Sequence, residues 1–153
     1  MNCVTTIIRA GSNLLICGLL VTLLSTLLAC SPPDSAEQII AEHIATLETA
    51  IEEKDPDPVM ALIHDNFSAR TGVDKLWVKR TMAFYMLKHA NIEILTSGIH
   101  IEVLDDTATA RLTAVVSGGQ GLIPEQGALY QIETEWRLHE GDWQLIYGDW
   151  RRP

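Results

Sequence analysis

The sequence predicts an α+β fold: three N-terminal helices packed on a curved four-stranded antiparallel sheet. Three observations lead there. Apolar residues recur at helical spacing up to about residue 89. From Asn91 the spacing becomes every second residue. The change happens once, so helices and strands are segregated along the chain rather than alternating, which separates α+β from α/β. A chain of 153 residues has room for one such domain.

Ser35 opens the first helix, with Gln38 three residues on in a capping-box pattern. Ile40, Ile44, Leu47 and Ile51 mark its apolar face, and Glu42, Glu48, Glu52 and Glu53 point elsewhere. Asp55-Pro56-Asp57-Pro58 ends this helix and starts the next, with Asp57 as N-cap and Pro58 as first helical residue. The second helix is short, about 58–66, and Val59, Leu62 and Ile63 are its apolar side. Phe67-Ser68-Ala69-Arg70-Thr71-Gly72 is a break with room for a short strand. Asp74 caps a third helix running to about His89. Val78, Met82, Tyr85, Met86 and His89 share one side of it, and Trp77, Thr81, Phe84 and Lys88 another. So wide an apolar arc predicts a largely buried helix.

Ile92 and Ile94 are in one strand phase, and Ile99, Ile101 and Val103 in the other. A β-bulge at Ser97-Gly98 would reset the register between them. Asp105-Asp106 is a turn. Ala108, Ala110, Leu112, Ala114 and Val116 form one face of the next strand, and Tyr130, Ile132, Thr134, Trp136 and Leu138 one face of the third. Glu140-Gly141-Asp142 turns tightly into a last strand from Trp143 to Trp150. The alternation predicts one buried and one solvated sheet face.

The chain start is of a different kind. No charge lies between Arg9 and Asp34, and residues 14–28 are an apolar block of signal-peptide length behind a short, weakly basic start. The block ends in Leu27-Leu28-Ala29-Cys30-Ser31, which resembles the lipobox of bacterial lipoproteins. That resemblance implies a leader over 1–29, diacylglycerol on the Cys30 thiol, often an acylated amino group, a tether over 30–35 and a domain over 36–153. Anchoring would then be in the cell envelope, and Ser31 rather than an aspartate after the cysteine implies the outer membrane, facing the periplasm. The alternative is an uncleaved span, for which the uncharged stretch is long enough. Both readings put the domain outside the cytoplasm, because the flanking cation, Arg9, is on the N-terminal side. Two or three acyl chains anchor stably where one does not.

Formal net charge is −9; losing residues 1–29 removes Arg9 and no acid, leaving 10 basic and 20 acidic side chains, or −10. A field of that sign repels nucleic acid, so no nucleic-acid partner is expected. The three cysteines, Cys3, Cys17 and Cys30, all precede the domain, which excludes a disulfide framework or thiolate metal cluster within it. His43, His64, His89, His100 and His139 form no HxxxH or HxH pair, so no metal is expected. Gly118-Gly119-Gln120-Gly121 opens no helix and cradles no phosphate, so no cofactor is expected. No GxSxG or SxxK nucleophile motif is present.

From about 36 to 150 the chain resembles the nuclear transport factor 2-like (NTF2-like, SnoaL-like) cone fold. The resemblance rests on the first helix ending near Ile51, the short helix running into Asp65-Asn66-Phe67, the aromatic third helix, the bulged strand, and the closing Glu135-Trp136-Arg137…Gly141-Asp142-Trp143-Gln144 hairpin with Trp150. It implies a conical pocket between sheet and helices and frequent dimers through the sheet. It implies no single function, since the group spans isomerases, cyclases, dehydratases and non-catalytic modules.

An acid–base enzyme of that kind needs a carboxylate or imidazole inside the cone. Asp149 shares strand phase with Tyr147, Leu145 and Trp143 and is the best inward carboxylate; a salt bridge to Arg151 or Arg152 is its plain structural alternative. His64, beside Asp65 near the end of the second helix, is the second candidate; a helix C-terminus that favours histidine is its alternative. His43 and His139 read as surface residues. Tyr85, Tyr130 and Trp136 are candidates to line a ligand cavity, against ordinary core packing. The 117–128 segment, with Leu122, Ile123 and Pro124, is either a flap over the cone mouth or a connector. Three functions remain: a non-catalytic binding or accessory lipoprotein that takes a small apolar ligand or a protein partner; an isomerase, cyclase or dehydratase using His64 or Asp149; and a structural homodimer with a filled cone.

Overall fold

The computed structural model describes residues 35–70, 72–119 and 126–153. Cys30 and the rest of the leader, and residues 120–125 of the expected flap, lie outside the described residues. The unit Asp34–Pro153 is compact and holds all of the elements described below.

Helix α1 spans Ala36–Glu52, capped by the Ser35 hydroxyl accepting from the Gln38 amide at 3.3 Å. The Gln38 side chain does not complete the box but donates to Glu42. Helix α2 is Pro56–Leu62. Its N-cap is Asp55, whose carboxylate accepts from the Asp57 amide, so Pro56 rather than Pro58 takes the first turn. Strand β1 is Ile63–Ala69, helix α3 is Lys75–Lys88, and four long strands follow: β2 Asn91–Leu104, β3 Thr107–Gly119, β4 Gln126–His139 and β5 Asp142–Arg151.

The sheet has five strands in the order β1-β5-β4-β3-β2, with β1 parallel to β5 and the other pairs antiparallel. This corrects the expected four-stranded antiparallel sheet and the grouping of all helices before it. The second helix stops at Leu62, four residues short of the expectation, and the break after it is a strand. Its alternation is visible in hindsight: Phe67 and Ala69 are buried and Ser68 exposed. A strand this short, next to helical apolar spacing, does not stand out by periodicity.

The bulge expected in β2 is present. Register shifts between Ser97 and His100, and Gly98 takes a positive φ of 63°. Glu140 and Gly141 both have positive φ, as a two-residue hairpin needs, and His139 and Asp142 close it.

The core lies between α1, α2 and the concave sheet face. Ile40 and Ile44 meet Val59, Ile63, Phe67, Ala108, Ala110, Leu112, Trp136, Trp143 and Leu145. The alanines on β3 let the helices approach closely where Trp136 on β4 fills the volume beside them. Strand β2 is an edge, and α1 caps it. The Glu48 carboxylate accepts from the Thr96 amide and hydroxyl, and Glu52 accepts from the Ile94 amide at 2.7 Å.

Helix α3 does not behave as its composition predicts. None of its residues is fully buried. Val78, Met82 and Met86 turn inward, while Leu76, Trp77, Phe84 and Leu87 are exposed. The helix is apolar on two opposite sides, and only one has a partner within the unit.

Candidate functional site

On the concave side of β4, burial falls from Trp136 to Tyr130. At the narrow end Trp136 on β4 is 0% exposed. Its indole N–H donates to the Thr134 hydroxyl at 2.9 Å, which reaches the Ala110 carbonyl, and its ring stacks on His43 at 5.8 Å. The structure therefore puts Trp136 in the core and not at a cavity wall. His43 is half-buried over this ring rather than on the open surface. Burial lowers its pKa, partly opposed by the carboxylates of Asp142 and Glu42. The signal was in the sequence: His43 stands between Ile40 and Leu47 on the apolar stripe.

Toward the other end the same β4 face carries Ile132 and then Tyr130, which is half-buried. Across from Ile132 on β5 stands Trp150, 42% exposed. Its ring approaches Gly148, where an added Cβ would meet Trp150 at 3.6 Å and Phe67 at 3.5 Å. Arg152 donates to the Tyr130 hydroxyl at 3.1 Å and lies 5.4 Å over its ring. The last turn of α3 closes in on this end: a Cβ at Gly118 would stand 3.1 Å from the His89 ring, and Tyr85 stacks on His89 at 5.9 Å. Lys54 fastens that turn through the His89 carbonyl at 2.6 Å. Of the three expected lining residues, then, Tyr130 lies on the open concave face, Tyr85 stacks on His89 on α3, and Trp136 lies in the core. Trp150 joins the open end.

Neither expected acid–base residue lies in the cup. Between Glu135↔Tyr147 and Trp136↔Leu145 the register slips, leaving Ile146 as the extra residue of a bulge on β5. Side-chain phase reverses there. Trp143 and Leu145 face in, but Asp149 pairs across from Glu133 on the solvated face. The inward placement expected for Asp149 is corrected by that bulge. Its carboxylate binds Arg70 at 2.8 Å, not Arg151 or Arg152, and its side chain is only 16% exposed. His64 is on β1 rather than a helix end; it accepts from the Asn66 amide and meets His139 edge to face at 5.4 Å. Lys75 holds the neighbouring Asp65 carboxylate below its ordinary pKa, chiefly by a 2.8 Å hydrogen bond.

The convex face carries its own pattern. Arg111 lies between Glu133 and Glu102, and His100 reaches Glu102. These bonds keep the Glu102 carboxyl low, the His100 contact first, and raise the Arg111 guanidinium. Two cross-strand rows away, past Ser97, Thr113 and Gln131, Leu95, Val115 and Leu129 are aligned and exposed. Among the described residues, no three metal-binding side chains cluster, and no helix is long and apolar enough to cross a membrane. A shallow cleft of about 290 Å³ between α1 and α2, lined by Ala45, Thr46, Thr49, Glu53, Asp55 and Pro58, lacks a convergent set of chemical groups.

No family profile matches the chain, and no curated protein matches its sequence. Solved structures do. An NTF2-like protein of unknown function from Pseudomonas putida KT2440 aligns with TM-score 0.68 at 18% identity, over 77% of this chain and 87% of that one. A candidate dehydratase of the NTF2-like family from Streptomyces avermitilis gives 0.69 at 19%, over 80% and 99%. Bd1075 from Bdellovibrio bacteriovorus gives 0.67 at 11%; the chain matches 74% of its own length to 40% of that protein. The fold is the NTF2-like α+β fold with a curved sheet.

Proposed function

We propose that the protein is a lipoprotein anchored in the cell envelope through Cys30, with a leader over 1–29, and that its NTF2-like domain, 36–153, is a binding or accessory module rather than an enzyme. The observation that carries the binding part is the burial gradient of the concave face, from a filled narrow end at Trp136 to an open end at Tyr130 and Trp150. Aromatic rings with one hydroxyl and the Arg152 guanidinium fit a small apolar body carrying an acceptor or anionic head. The exposed row Leu95, Val115 and Leu129 supports a homodimer through the convex face. The anchoring part rests on Leu27-Leu28-Ala29-Cys30 behind the apolar block. The residues used would be Cys30 for the lipid and Tyr130, Trp150 and Tyr85 for the ligand.

Native mass spectrometry of residues 31–153 tests the binding reading. The expected result is a dimer carrying a small co-purified ligand that Tyr130→Ala and Trp150→Ala lose. A clean, unliganded mass that no apolar compound changes would retire it. For the anchor, Cys30→Ser should leave an unprocessed precursor that takes up no labelled fatty acid; normal processing would end that reading. The likeness to a candidate dehydratase favours a second reading, an acid–base enzyme. In this chain the imidazoles on the concave side are His43 at the filled end and His89 at the open end, so His43→Phe or His89→Phe should then abolish turnover without unfolding the domain.

A further inference from the structure

We propose that the outward side of α3 is a docking surface for an anionic phospholipid bilayer. This goes beyond the binding reading and borrows from it only the location.

The helix carries Lys75, Lys79, Arg80 and Lys88 and no acid, in a domain with 19 acidic and 10 basic side chains. At 100° per residue, Leu76, Leu87, Phe84 and Trp77 fall on one continuous arc. All four are exposed, Leu87 at 89% and Phe84 at 60%; Tyr85, also exposed, lies on the opposite side. Arg80 projects from the middle of the arc, while Lys79 and Lys88 stand at its two margins. Among the described residues Lys79 and Arg80 pair with no carboxylate, and Lys88 lies over the Phe84 ring at 5.9 Å. Only Lys75, on the inward side, is occupied, by Asp65.

That is the pattern of a helix lying in a membrane interface: tryptophan, phenylalanine and leucine inserted, with long cationic side chains reaching the head groups on either side. A protein partner with an apolar groove would also cover the leucines. It would not by itself account for three cations without a paired carboxylate, Lys79, Arg80 and Lys88, on the outward side of this one helix of an acidic domain. Charge complementarity selects an anionic surface. The domain's overall negative charge does not prevent approach, because repulsion from its other faces is screened over about 8 Å at physiological salt. The chain length agrees as well. Four residues separate Cys30 from Ser35, five Cα steps with a reach of at most about 18 Å, so a lipid on Cys30 would hold the domain within contact of the bilayer.

The test uses the chain from Ser31 onward, which keeps all of the described elements and their core in one compact unit and has no acyl groups of its own. Partitioning is measured by sedimentation with vesicles of phosphatidylethanolamine and phosphatidylglycerol, and with vesicles of phosphatidylcholine alone. Binding to the anionic vesicles, weakened by salt, is expected. Trp77→Ala with Phe84→Ala should weaken it by at least about tenfold, and Lys79→Gln and Arg80→Gln by about fivefold each. Arg137→Gln, which removes a cation from the sheet, should leave it unchanged. Both exposed aromatics can be truncated without opening the core, so thermal unfolding should be unaltered. A folded protein that ignores anionic vesicles overturns the proposal, as does binding indifferent to the α3 variants. Loss of a dimer on Trp77→Ala with Phe84→Ala also overturns it, by showing that a second copy covers the helix. None of these outcomes depends on whether Cys30 is lipidated, which the precursor assay reads separately.

Discussion

Replacing Trp136 by alanine separates a core residue from a ligand wall. The side chain is wholly buried, and a buried aromatic removes about 150–250 Å² from water. At about 25 cal/mol per Å² that is about 4–6 kcal/mol, an upper estimate because the unfolded chain is not fully extended. Truncations of large buried aromatics cost about 3–5 kcal/mol, somewhat below that upper estimate. A domain of this size has about 5–15 kcal/mol in all. Trp136→Ala should therefore lower the unfolding midpoint by about 10–25 °C, read by far-ultraviolet circular dichroism so that the lost indole does not confuse the signal. Trp136→Phe keeps a ring against His43 but loses the indole N–H and the volume of the fused ring. Thr134 still has the Ala110 carbonyl, so the cost should fall to about 1–2 kcal/mol. An alanine variant within about 1 kcal/mol of the parent, altered only in what it binds, would refute the assignment of Trp136 to the core.

Three further outcomes follow from the same contacts. Burial lowers the folded-state pKa of His43 from its ordinary 6.5, so its contribution is complete above that value and is lost as pH falls below it; urea titrations at falling pH should show a shallower decline for His43→Phe than for the parent. Gly148→Ala places its Cβ in ordinary contact with Phe67 and should change stability by less than about 1 kcal/mol, whereas Gly148→Val overfills the gap and should cost about 1–3 kcal/mol in thermal melts. Removing both edge caps with Glu48→Ala and Glu52→Ala should cost about 1–3 kcal/mol and speed amide exchange at Ile94 and Thr96 above all other β2 positions.

Much of this arrangement could be read from residue order. The inward face of α1, the β2 bulge at Gly98, the inward phase of β3 and the Glu140-Gly141 turn follow from periodicity and from residues that tolerate positive φ, both of which are local. What escaped depends on neighbours far along the chain. Strand β1 exists because β5 offers it a parallel edge, and nothing within Ile63–Ala69 announces that partner. The phase of Asp149 depends on the slip at Ile146, which inserts one residue opposite a regular stretch of β4. Unlike Gly98, Ile146 has no feature that marks a bulge. The exposure of α3 was missed because composition reports how apolar a helix is and not how many of its sides find a partner. At the candidate site, Tyr130 was legible from strand alternation. Trp150 was hidden by the same slip, and Trp136 shows that sharing a phase with Tyr130 does not mean sharing its surroundings.

The slip at Ile146 also says how little separates this cup from one with an acid inside. Were Ile146 paired in turn instead of bulged, every later residue of β5 would move one place along β4, the Asp149 carboxylate would face the hollow and Trp150 would face water. A change of register alone would thus exchange a greasy lining for a proton acceptor with no change in the chain, and it would leave Arg70 without its anion.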